Sequence, residues 1–306
     1  MLHVVVAVMN NLPHLENLLA GLAEAAQVEP LRVVLIDNAS NEEIPKALAR
    51  FPNRGGIQVI YNQRNLGAAG AWNMGVRFAI ANGAEKILVC GSDTCPYPGA
   101  IKKLSDHIAA GVPFVTGTAV PYMSMPGGAE LADLPLIAAP DFSFFMLTPQ
   151  VVEIVAMWDA SVEYNVLKEM GGKRPEVLAA PWTWGLFDDR FWPAYFEDND
   201  FHIRMHRAGV LAVRDQTALF RHDCSLTIRS HPEIGQMNQD TTFLRNLELY
   251  KAKYGGTPQE VGPQGARPLN VSDEEWARMS GGKPIMEVPR EHVIEEAKKV
   301  YERYGG

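Results

Sequence analysis

The first third of the chain alternates between two hydrophobic periodicities. Leu2–Val8 is a continuous apolar run, the pattern of a strand buried on both faces. Leu15, Leu18, Leu19 and Leu22 then recur at helical spacing. Leu31–Ile36 reads as a second buried strand, Ile44–Phe51 as a short helix and Gly56–Tyr61 as a third strand. An Ala-rich helix over Gly67–Asn82 stops before Gly83, followed by a strand over Lys86–Cys90 and a helix over Pro98–Ala109. Such alternation predicts a mostly parallel sheet with right-handed crossovers, flanked by helices.

The middle of the chain is less regular. Strands are predicted at Phe114–Val120 and Phe142–Leu147, around a proline-rich, loop-like stretch from Pro121 to Pro140. Pro149–Trp158 and Val162–Met170 read as helices, and Leu178–Phe196 is crowded with aromatic residues. Glu197–Ala208 is a helix ended by Gly209, with Val210–Val213 strand-like beyond it, and Thr241–Tyr254 is a strong helix. Gly255–Gly282 is rich in Gly and Pro and predicts a linker unlikely to pack tightly. Pro289–Tyr304 predicts a last amphipathic helix whose apolar stripe needs a partner surface, the chain's own domain or a second copy in a homodimer. The expected organisation is a domain over 1–254 and a linker with a C-terminal helical arm over 255–306.

Composition narrows the function only by exclusion. A 306-residue chain that is 47% hydrophobic can bury a substantial core, and its net charge of −8 gives no general attraction to nucleic acid. Cys90, Cys95 and Cys224 are too few for a disulfide framework, which makes a reducing compartment the default. No apolar run approaches the roughly 20 residues of a spanning helix, so a protein that does not span the membrane, in the cytoplasm, is expected.

Polar chemistry collects where the predicted strands end, the place where parallel sheets bind ligands. Asp37 follows the second strand, in a turn that can equally cap a helix. Asn65 to Asn73 is a small-residue loop entering a helix, open either to close packing or to a diphosphate at the helix N-terminus. Asp93 lies just past the fourth strand, as a divalent-ion ligand or a turn residue. Glu197, Asp198 and Asp200 form the densest acidic cluster. Carboxylates in a first helical turn are stabilised by the macrodipole, while negative neighbours also raise the basicity of a member such as Asp198. His202 and His206 share a helical face with Asp198 at metal-ligand spacing, yet no further Cys or His lies nearby in sequence. His222 fits either a core histidine or a metal ligand.

Taken in order, VVLIDNAS (33–40), NLGAAGAWN (65–73), LVCGSDTCPYP (88–98), FDDRFWPAYFEDNDFHIRMHRAG (187–209), His222 and RNLELYKAKY (245–254) resemble the family 2 inverting glycosyltransferases of GT-A fold. The rhamnosyl- and galactofuranosyl-transferase-like members are the most similar in flavour. The resemblance implies that Asp37 reads the nucleotide base and that Asn65, Gly67 and Asn73 line the donor diphosphate and sugar. It further implies that Asp93 and His222 hold Mn²⁺ or Mg²⁺, and that Asp198 is the catalytic base. One departure is plain: Gly91-Ser92-Asp93 stands where the family's Asp-x-Asp has its first acid, leaving one retained aspartate.

The implied reaction moves a sugar from a UDP, dTDP or GDP donor to an acceptor hydroxyl of a glycan, lipid-linked sugar, protein or modified nucleic acid. Trp182, Trp184, Trp192 and Glu197 are the candidates for the acceptor side, the tryptophans serving either as a wall for a sugar ring or as core. Two other classes compete. A nucleotidyltransferase normally needs a Gly-rich phosphate loop near its first strand, where Val8–Pro13 offers none. A non-catalytic sugar- or nucleotide-binding module would account for the missing first acid but not for Asp198 and His222.

Overall fold

The computed structural model describes residues 1–41, 44, 46, 56–120, 140–153, 155, 186–222, 242–263, 267–268 and 272. The strands are β1 (Leu2–Val8), β2 (Leu31–Asp37), β3 (Ile57–Tyr61), β4 (Lys86–Gly91), β5 (Thr94–Pro96), β6 (Phe114–Val120), β7 (Phe144–Leu147), β8 (Val213–His222) and β9 (Arg267–Pro268). The helices are α1 (Leu12–Ala25), α2 (Gly67–Ala81), α3 (Ala100–Ala109), α4 (Glu197–Arg207), α5 (Phe243–Tyr254) and α6 (Pro258–Val261). Among the described residues the strands form one sheet in the order β3-β2-β1-β4-β7-β6-β8-β5, with β9 beside β8.

Strand β1 pairs parallel with β2 and β4, and β3 extends the parallel half from β2. Successive residues of a strand face opposite ways, and both ways are apolar here. Val5 packs with Val34, Val89 and the α2 residues Ala71 and Val76, whereas Val4 and Val6 pack with Leu15, Leu18, Leu19 and Leu22 of α1. The continuous apolar runs arise from this two-sided burial. Gly75 lets α2 press onto β1, since a Cβ there would sit 2.3 Å from Val5 Cγ1.

The far half of the sheet departs from the sequence pattern. Strand β7 runs antiparallel to both β4 and β6, and β5 is a short antiparallel partner of β8. The predicted strand Val210–Val213 is corrected: β8 begins at Val213 and continues to His222. It was hidden because Arg214 and Asp215 are buried polar residues inside it. Asp215 is accommodated by the Thr217 N–H, the Thr217 hydroxyl and His107, which fits its carboxyl being held below the usual range despite burial. Past Gly255 the chain does not leave the domain at once. Val261 joins a cluster with Phe191, Phe196, Ile203, Tyr250 and Tyr254, and β9 pairs with β8.

Helix over Pro149–Trp158 is present at 149–153 and 155, and residues 44 and 46 are helical within the expected Ile44–Phe51. The loop-like 121–139, the helix Val162–Met170, Trp182, Trp184 and the C-terminal helix lie outside the described residues. No helix among the described residues is long and apolar enough to cross a membrane. Cys90 and Cys95 are in the thiol form, and burial pushes the Cys90 thiol up to about 12.

Candidate active site

The carboxyl ends of β2, β1 and β4 lie side by side, and a polar corner is built across the first two. Asn38 donates its N–H to the Val8 carbonyl at 2.7 Å, and the Asn10 N–H reaches the Ser40 hydroxyl at 2.8 Å. Asp37 is buried, and its Oδ1 accepts the Ser40 N–H at 2.9 Å. The Asn38 side chain is the hub of the turn into α2. Its Nδ2 donates to Asn65 Oδ1 at 2.8 Å and to the Gly67 carbonyl at 3.2 Å, while its Oδ1 accepts the Leu66 N–H at 2.9 Å and Asn62 Nδ2 at 3.2 Å. Asn65 Oδ1 also accepts the Gly67 N–H at 2.7 Å, so the turn is tied on both sides. Gly67 is required here: its φ is +75°, and a Cβ would meet the Pro193 carbonyl oxygen at 2.8 Å and Trp192 Cδ1 at 2.9 Å.

Asn73, expected to line the donor, is engaged with the protein's own backbone. It is buried, and its amide is engaged with the Phe187 backbone, donating to the carbonyl at 2.7 Å and accepting the N–H at 2.9 Å. It thereby pins the 186–190 segment to α2. Trp192, expected on the acceptor side, lies against the 65–67 turn and donates Nε1 to the Asn65 carbonyl at 3.3 Å.

A second group of side chains lies beyond β4. Antiparallel pairing of β5 with β8 sets Thr94 opposite His222, which brings His222 Nε2 to 3.7 Å from Asp93 Oδ1. The other ring nitrogen, Nδ1, is 3.1 Å from the Ser143 hydroxyl. That hydroxyl donates to Asp141 Oδ1 at 2.5 Å, and the Ser143 carbonyl accepts the Gly91 N–H at 2.9 Å. The histidine ring is therefore oriented from behind, a common arrangement for a ligating imidazole.

The third group is the start of α4. Tyr195 and Phe196 both have positive φ, +76° and +73°, an uncommon backbone for bulky residues that tends to occur where function holds it in place. The turn delivers Glu197, Asp198 and Asp200 in the first turn of the helix. Burial raises the pKa of Asp198, and Asp141 and Asp200 add to this. The Asn199 N–H, 2.8 Å from Asp198 Oδ1, opposes it. Burial, and then the neighbouring Asp198, raises Glu197 well above its ordinary value, and its buried Oε2 has no hydrogen-bond partner among the described residues. His202 is buried against Phe142, and burial drives it down to about 3, so it stays neutral. No cluster of three or more His, Cys, Asp or Glu suited to a metal ion, His202 and His206 included, occurs among the described residues.

The model of one family, glycosyl transferase family 2, matches residues 3–161, just over half of the chain. The chain belongs to that family. This glycosyltransferase is similar to the dTDP-rhamnosyl transferase RfbF of Shigella flexneri, with 34% identity over 96 residues. That match covers 31% of this chain and 31% of the relative. It is also similar in fold to the mannosyltransferase PcManGT from Pyrobaculum calidifontis, whose structure contains GDP-Man and Mn²⁺. There the TM-score is 0.54 at 12% identity, over the whole of this chain and 76% of the other. The GT-A fold expected from the motifs is therefore the fold of this transferase.

Asp93 and His222 fit a divalent ion. Two ligands bound at about 2.1 Å each, with an angle near that of octahedral or tetrahedral geometry, stand roughly 3.0–3.5 Å apart. Their 3.7 Å separation needs only a small closure. A carboxylate with an imidazole suits Mn²⁺ or Mg²⁺ with the remaining positions filled by diphosphate and water. Sequence reasoning missed Asn38, Asp141 and Ser143. Asn38 stood in a motif but next to the more conspicuous Asp37. Asp141 and Ser143 carried no local signal, because the antiparallel run of β7 brings them to the site.

Proposed function

We propose that this transferase moves a hexosyl or deoxyhexosyl group from a nucleoside-diphosphate sugar to an acceptor hydroxyl, with inversion at the anomeric carbon. The observation that carries the reading is the pairing of Asp93 with His222 beyond the β4 end, within the same polar region as a first-turn Asp198 of raised basicity. The rhamnosyl and mannosyl relatives support a sugar of that class.

In this reading the Asp37 carboxylate meets the base and the tied Asn65–Gly67 turn lines the diphosphate, where the N-terminus of α2 favours negative charge. Asp93 and His222 would hold Mn²⁺ or Mg²⁺, which when bound offsets charge on the departing diphosphate. Asp198 accepts the proton of the acceptor hydroxyl as that oxygen bonds to the anomeric carbon and the bond from that carbon to the diphosphate oxygen breaks. Glu197, whose carboxyl burial raises well above its ordinary value, offers the acceptor a buried carboxyl group. The transition state resembles the oxocarbenium ion of glycoside hydrolysis.

Incubating the chain with UDP-, dTDP- and GDP-sugars, with Mn²⁺ or with a chelator, and following free nucleoside diphosphate by mass spectrometry tests the reading. Metal-dependent release from one donor is expected. No release from any donor, under any condition, would oppose it.

A further inference from the structure

The Asp200 carboxylate sits two residues past Asp198 in the first turn of α4 and is fully buried. Its Oδ2 accepts Arg204 Nε at 2.7 Å. Its Oδ1 accepts Lys253 Nζ at 2.5 Å and the Tyr254 hydroxyl at 2.6 Å, both from the end of α5. Lys253 Nζ also donates to Asp188 Oδ2 at 3.1 Å, and Asp188 is held in turn by Arg190. Arg204 donates a further bond to the Leu186 carbonyl at 2.7 Å. One ammonium therefore joins the helix that carries Asp198 to the 186–190 segment, which Asn73 ties to α2. The RNLELYKAKY motif thus has a physical use that the donor and metal assignments do not account for.

We propose that Lys253 is a positioning residue for glycosyl transfer, fixing the first turn of α4 through Asp200 and setting the charge around Asp198. The inference rests on Asp198 being the base. Buried ion networks are strongly perturbed when one partner is removed, because the remaining charge loses compensation. Here Asp188 and Asp200 face the cations Arg190, Arg204 and Lys253. The other acids near this first turn are Glu197, whose carboxyl burial raises, and Asp141, which acts on Asp198. Removing Lys253 leaves the charge of Asp200 less compensated beside Asp198. A more negative surrounding favours the protonated base, so activity at the acid side of the pH profile is lost earlier.

The test uses the full chain and compares turnover against pH for wild type, Lys253→Met, Lys253→Arg and Tyr254→Phe. Lys253→Met should lower kcat roughly tenfold or more while the donor KM stays within about twofold, and should move the acid limb up by about half a pH unit or more. Lys253→Arg keeps the charge and should restore the limb. Tyr254→Phe removes a hydrogen bond from the same oxygen but no charge, so it should lower the melting temperature without moving the limb. If Lys253→Met does not fold, Lys253→Gln removes the charge while keeping a donor for Asp200 and gives the same reading. An unmoved acid limb in the neutral variant, with Asp198→Asn inactive, overturns the inference alone. Full turnover in Asp198→Asn overturns it together with the base assignment.

Discussion

Replacing Asn38 by alanine should unpin the Asn65–Gly67 turn into α2, which the proposed function sets against the donor diphosphate. The side chain is buried and makes four hydrogen bonds, to Asn65 Oδ1, the Gly67 carbonyl, the Leu66 N–H and Asn62 Nδ2. Each is worth about 0.5–1.5 kcal/mol net. Asn65 Oδ1 retains the Gly67 N–H, and partly exposed Asn62 can turn to water, so the full sum is not lost. The Leu66 N–H and the Gly67 carbonyl are harder to satisfy. The expected loss is about 2–3 kcal/mol, equivalent to a melting-temperature drop of roughly 4–12 °C for a domain of this size. Asn38→Asp is the sharper variant: it preserves the two acceptor contacts but puts an anion against two oxygens. In calorimetry, nucleoside-diphosphate affinity should fall roughly tenfold for either variant, about 1.4 kcal/mol. An Asn38→Ala protein that melts within a degree of wild type and binds the nucleotide equally well would refute the assigned role of this hub.

Three further outcomes are expected. Asp93→Ala should abolish the Mn²⁺-dependent part of nucleoside-diphosphate affinity measured by calorimetry, and equal wild-type affinity with and without metal would remove the metal assignment. Glu197→Gln should raise the melting temperature near pH 8. Burial raises the folded carboxyl above its unfolded value, so its ionisation costs stability as pH rises past about 4.5; the gain should vanish at pH 4, and a pH-independent difference would contradict the raised value. His202→Phe should reduce acid lability: a neutral buried imidazole loses stability as pH falls from 6.5 towards 3, because only the unfolded chain takes up that proton. Parallel wild-type and variant melting curves across that range would oppose this.

The parallel half of the sheet was legible because two-sided burial writes continuous apolar runs such as Leu2–Val8 and Leu31–Ile36. The strand-end placement of Asp37 and Asp93 was legible from the apolar runs that precede them. Strand direction leaves no such trace, so the reversal at β7 was not foreseen, nor was the arrival of Asp141 and Ser143 beside His222. Strand β8 was cut short because its buried Arg214 and Asp215 break the apolar pattern while side-chain bonds satisfy the aspartate. The roles of Asn73 and Lys253 depend on residues more than 50 positions away, which no local window contains.

If Asp198 removes the acceptor proton, Asp198→Asn keeps the shape of the α4 start and loses only the basicity. Steady-state turnover with the donor identified from the nucleotide-sugar panel, alongside calorimetry of the same nucleotide, separates chemistry from binding. Turnover should fall roughly 10²–10⁴-fold while nucleotide affinity stays within about twofold, since the proton moves at the acceptor and not at the diphosphate. Near wild-type turnover in a folded Asp198→Asn protein would reduce Asp198 to a helix-start acid and contradict the proposed mechanism.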